Sequence, residues 1–146
     1  MADKFKLQTV LNHRQRLEQV AQQKLAEALR REALLHQKVA LQRSDLCRLQ
    51  QELTVRQQSG IGVDELQRYR LSINRQRSLL SELLEQAQRL QREVASNREL
   101  LAEAAREKKL LEKLKEKKEA EQRYQENRLE MAKLDDIALR LGKHSL

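Results

Sequence analysis

From Ala21 to Leu53 the residues Ala21, Leu25, Ala28, Glu32, Leu35, Val39, Gln42, Leu46, Leu49 and Leu53 recur at alternating steps of four and three. Eight of these ten are apolar. Such a repeat keeps one narrow stripe of a helix turned toward a neighbour over many turns, so the segment reads as one strand of a coiled coil that requires a second. A second run supplies it: Leu66, Tyr69, Ile73, Leu80, Leu83, Ala87, Leu90, Val94, Asn97, Leu101 and Ala104, then Leu111 and Leu114 after Lys108. Gln76 or Arg77 fills the step between Ile73 and Leu80. Ahead of the first run, Leu7, Val10, Leu11 and Leu17 continue an apolar face, but Arg14 and Glu18 hold the strict four-three positions. This predicts a register shift near residue 17.

Only one stretch strongly interrupts the helical pattern, Gln57-Gln58-Ser59-Gly60-Ile61-Gly62-Val63-Asp64. There is no proline, and two of the three glycines stand here. Glycine takes positive φ without steric cost, so Ser59-Gly60 reads as a helix stop. Asp64, with Gln67 three residues on, reads as the cap of the next helix. The expected fold is all-α: a long antiparallel two-helix coiled-coil hairpin with a C-terminal helical overhang, forming one domain over residues 1–146. The first helix is placed at about residues 3–57, the turn at 58–63, the second helix at 64–141 and a frayed tail at 142–146, with Gly142 as the stop. A short turn sets residue i roughly opposite 121 − i, so Leu7 meets Leu114. The first helix alone would span roughly 80 Å. Glu27–Arg31 and Glu52–Arg56 are expected to pair along it at i,i+4.

The apolar seam of the second helix fades at Lys115-Glu116-Lys117-Lys118-Glu119, where its partner helix runs out. Beyond, Ala120, Tyr124, Asn127, Met131, Leu134, Ala138 and Leu141 recur at helical spacing, with Ile137 beside them. An isolated helix of about 20 residues is marginal in water, so this stripe reads as a face for a partner. A third turn near Gln122 could instead fold it back, but no glycine or proline supports one.

Composition narrows the function. Charged residues are 36% and aromatics 2%, the profile of a coiled coil rather than of a domain with a large core. The net charge is +8. It allows an acidic protein, nucleic acid or an anionic membrane as partner. Cys47 has no second cysteine to pair with, the N-terminus lacks the apolar core of a signal peptide, and no apolar run reaches the length of a membrane span. The expected location is therefore cytosolic. His13, His36 and His144 have no partner at metal-ligand spacing and read as solvated helix residues. Gly60-Ile61-Gly62 lacks the spacing and lysine of a phosphate loop. A hairpin offers no pocket that excludes water, so no catalytic residue, metal or cofactor is expected. The densest basic run is Arg106, Lys108, Lys109, Lys113, Lys115, Lys117 and Lys118 against Glu107, Glu112 and Glu116, net +4. A charge run on a coiled coil is by default a solvated face, and its functional reading is a docking surface for an acidic protein. Interleaved acids and the want of stacking aromatics disfavour nucleic acid.

The opening Phe5-x-Leu7-x-x-Val10-Leu11-x-x-Arg14, the basic segment from Glu107 to Lys118 and the closing Lys133-Leu-Asp-Asp-Ile-Ala138 together resemble the FliJ family of flagellar export proteins, over essentially the whole chain. The resemblance implies a soluble part of the flagellar type III export apparatus. It implies a coiled coil similar to the central stalk of rotary ATPases, which binds and stimulates the hexameric export ATPase, contacts the cytoplasmic domain of the export gate and assists export chaperones. It also implies peripheral association with the inner membrane at the flagellar basal body. By position, the end of the hairpin with the paired termini would meet the ATPase. That end carries Phe5, Leu7, Leu11, the basic run Arg106, Lys108, Lys109, Lys113, Lys115, Lys117 and Lys118, and Tyr124, Met131, Leu134 and Leu141 of the stripe. The turn end, with Gly60, Ile61, Arg68, Tyr69 and Arg75, would face the gate; of the aromatics some family members carry there, this chain has only Tyr69. Two other readings compete. One is a holdase-like coiled-coil chaperone resembling prefoldin subunits, without their β-hairpins; the other is a basic nucleic-acid or membrane-surface binder.

Overall fold

The computed structural model describes the backbone of residues 2–144 and the side chains of residues 6–143. The described chain is two α-helices packed against each other, α1 (Ala2–Ser59) and α2 (Val63–His144), with no strand among the described residues. Their connection is shorter than the sequence suggests. Ser59 ends α1 with its hydroxyl donating to the Val55 carbonyl at 3.1 Å. Gly60 follows at φ 93°, the left-handed conformation that a residue with a Cβ resists. Gly62 then accepts the first bond of α2, from the Leu66 N–H at 3.0 Å. The residue whose carbonyl accepts that bond holds the cap position, so the cap is Gly62 and not Asp64. Asp64 and Glu65 lie inside the first turn, where negative charge complements the helix dipole. At the far end α2 passes through Gly142 to His144, so that glycine does not stop the helix. A helix-interior glycine costs only about 1 kcal/mol relative to alanine, and the residues around it are helix formers.

Contacts divide the chain into two units, Val20–Ala102 and Met1–Gln19 with Glu103–Leu146. In the first, Ala28, Val39, Ile73 and Val94 are buried. Half-buried seam residues such as Leu25, Leu35, Leu49, Leu80 and Leu90 flank them at the expected four-three positions. The unsettled step is Gln76, which is half-buried and shares a hydrogen bond with Gln42 across the seam. Arg31 and Arg56 do not turn to Glu27 and Glu52 along α1. They cross to α2, Arg31 to Glu93 at 2.7 Å and Arg56 to Glu65 at 3.6 Å.

In the second unit Leu11 is buried and Leu7 half-buried. The expected register shift is absent. Arg14 and Glu18 occupy the seam, while Val10 and Leu17 are 44% and 40% exposed. The reason is electrostatic. Arg14 pairs with Glu107, and the Glu18 carboxylate meets Lys108 Nζ at 3.2 Å with both side chains largely covered. Opposite charges thus stand where apolar knobs would otherwise be required. Lys115 Nζ likewise donates to the Gln8 side-chain oxygen at 2.6 Å, so the seam passes through Lys115 rather than through Leu114, which is 42% exposed.

Candidate partner-binding surface

The Arg106–Lys118 run separates into two populations once placed on α2. Lys108 and Lys115 face α1 and are occupied there; Lys108 also lies 3.9 Å from Glu112. Lys109, Lys113, Lys117 and Lys118 are exposed. Arg106 is exposed and already has a partner. Leu11, a candidate for partner contact, is 8% exposed and holds the two helices together instead. The side chain of Phe5 lies outside the described residues.

From residue 120 to residue 143 every side chain is exposed. The helix is continuous through Gln122, so the segment does not fold back. Its large apolar residues stand open: Tyr124 64%, Met131 61%, Leu134 61% and Leu141 65%. The face they occupy is set by counting. Leu110 stands two residues after seam residue Lys108, and Lys117 two after seam residue Lys115. Two residues is about 200° round a helix, so these positions face away from α1. Stepping by three and four from Leu110 gives Lys113, Lys117, Ala120, Tyr124, Asn127, Met131, Leu134, Ala138 and Leu141. The outward lysines and the apolar stripe are therefore one surface, basic at its start and apolar thereafter. Leu110, 67% exposed, belongs to it. Composition hides this residue beside seam residue Leu111; counting back from Tyr124 finds it.

In the other unit Gly60 and half-buried Ile61 form the connection. Arg68 and Arg75 are exposed and seven residues apart on one face of α2. Tyr69 does not join them: it is a half-buried seam residue beside a groove lined by Arg48, Val55 and Arg56 of α1. Among the described residues no group of three His, Cys, Asp or Glu could hold a metal ion. His36 is exposed, 3.8 Å from Glu32, and Cys47 is an exposed thiol. No described helix is long and apolar enough to cross a membrane.

Two packed helices, with polar pairs set into their seam and an uncovered stripe along one of them, define a helical-hairpin coiled-coil protein. The family model for the flagellar FliJ protein matches residues 3–146, and the chain belongs to that family. Membership makes it a component of the flagellar protein export apparatus, in a family that is not catalytic. No match to the chain was found among curated proteins or among solved structures.

Proposed function

We propose that this protein is the coiled-coil stalk of the flagellar export machinery. In this reading it binds the hexameric export ATPase and stimulates ATP hydrolysis. It also contacts the cytoplasmic domain of the export gate through the connection half, near Gly60, Ile61, Arg68 and Arg75, and assists export chaperones. It would work in the cytoplasm, peripherally associated with the inner membrane at the basal body. The observation that carries the reading is the outward stripe of α2, where Lys113 and Lys117 lead into Tyr124, Met131, Leu134 and Leu141 with none of the described residues packed across it. A helix without tertiary contacts gains little stability from propensity alone, so such a face is best explained by a partner.

The test is steady-state ATP hydrolysis by the export ATPase of the same bacterium, with and without the chain. Stimulation is expected. K113E/K117E should reduce it about tenfold or more at physiological salt, because both charges face outward. Charge reversal at Lys115 is the wrong probe, since it breaks the contact with Gln8. If the chain neither stimulates nor co-purifies with the ATPase, the stalk reading fails.

A further inference from the structure

We infer that, when the ATPase of the proposed function does not cover it, the exposed stripe of residues 120–143 pairs with the same stripe of a second copy of this chain, antiparallel, in one register, so that the two partners compete for one face.

The stripe has the four-three spacing of a coiled-coil seam, with Tyr124, Met131 and Ala138 each followed three residues later by Asn127, Leu134 and Leu141. The residues beside a seam decide what may lie on it. Here they are Arg123 and Glu130 on one side, and Glu121, Arg128 and Asp135 on the other. A parallel in-register pair sets each flank against the opposite flank five residues on. That joins Glu116 with Glu121, Arg123 with Arg128, and Glu130 with Asp135, three repulsive pairs in succession and each made twice.

An antiparallel pair sets like flanks together. The rule is visible within the hairpin, where Arg31 and Glu93, each the residue preceding a seam residue, meet at 2.7 Å. Packing Met131 against Leu134 of the second copy then puts Tyr124 against Leu141 and Asn127 against Ala138. On the flank, Arg128 faces Asp135 twice. Glu130 with Ile137 and Glu121 with Gly142 each involve a single charge. Sliding by one heptad toward residue 120 brings Arg128 against Arg128 and Glu130 against Glu130. A further heptad places Lys113 and Lys117 in the seam, opposite Ala138 and Leu134. That register also sets Arg123 against Glu130 and Glu121 against Arg128, but with two lysines in its seam, so of the three registers one alone combines opposite-charge flanks with an uncharged seam over Tyr124, Met131, Leu134 and Leu141.

Sedimentation equilibrium of the full chain at low salt, from ten to several hundred micromolar, tests this. The wild type should pass from monomer to dimer over that range. R128D and D135R each set like charges opposite one another in the antiparallel register, and each should shift the midpoint at least tenfold toward higher concentration. An equimolar mixture of the two variants restores both opposite-charge pairs and should dimerise at least as well as wild type. In a parallel pair either variant would instead convert a repulsion to an attraction and strengthen the dimer. A wild type that stays monomeric would assign the stripe to a foreign partner and overturn the inference. So would single variants that dimerise as well as wild type, or a mixture that fails to recover.

Discussion

Glu18 and Lys108 offer the sharpest test of the seam. Their side chains are 17% and 26% exposed and their charged atoms lie 3.2 Å apart, between helices, at positions where the repeat ordinarily places apolar residues. At that distance the gross attraction is about 5 kcal/mol for an effective dielectric near 20, as for pairs close to a surface. Desolvation of both groups and the ordering of a lysine, about 2 kcal/mol for the latter, cancel most of it. The net worth of the intact pair is therefore about 0–1 kcal/mol, but the cost of breaking it is larger. K108M leaves a mostly covered carboxylate without its lysine and should lower stability by about 1–2 kcal/mol, below the 3–5 of a fully buried pair because water still reaches the site. E18L should be nearly neutral, since the lysine can bend along its stem toward Glu112 and solvent. E18L/K108L restores an apolar knob on each helix and should raise stability by about 1–3 kcal/mol. Urea unfolding of the full chain followed by circular dichroism at 222 nm reads these as shifts of the midpoint at constant slope. If K108M were as stable as wild type, or if the double variant were the least stable of the three, the placement of these charges in the seam would be refuted.

Other expectations are simpler to check. Gly60 is in the left-handed conformation and Gly62 is not, and neither has an atom within 4 Å of where a Cβ would sit. G60A should therefore cost about 1–2 kcal/mol through backbone strain alone, while G62A, which puts a poor capping residue at the start of α2, should cost about 0.5–1, by the same unfolding assay. Limited trypsin digestion should cut first at Arg123, Arg128 and Lys133, which have no tertiary packing, and leave a resistant fragment ending near residue 120. Q42L/Q76L removes the polar pair from the seam; it should raise the urea midpoint while allowing higher oligomers to appear in sedimentation, as half-buried seam amides trade stability for a single pairing.

Much of the fold is legible in the residue spacing. The four-three repeat places both helices, and the glycines place the reversal. The register follows from the shortness of the connection: Arg56 meets Glu65, and Arg14 meets Glu107. Misplaced details share one cause, that a single helix pattern does not show what stands across from it. Arg14 and Glu18 look like a break in the repeat only until Glu107 and Lys108 are set opposite them. Lys108 and Lys115 look like members of a basic patch for the same reason. The cap differs for another reason: Asp64 has the right chemistry for it, but Gly62 starts the helix two residues earlier and leaves Asp64 in the first turn. The stripe beyond residue 120 is legible as apolar periodicity. That the outward lysines share its face required knowing which residues the seam had taken.

The unequal helices, 58 residues against 82, also limit how a chain like this can change length over generations. Within the paired part, an insertion or deletion preserves the seam only in steps of seven, made at facing points of both helices. Two separate genetic events would have to coincide, each harmful alone. Past residue 120 none of the described residues of the same chain faces the helix to impose that condition. Relatives of this chain should therefore hold the distance from the glycines to Lys115 nearly constant and differ mainly in how far the second helix runs on.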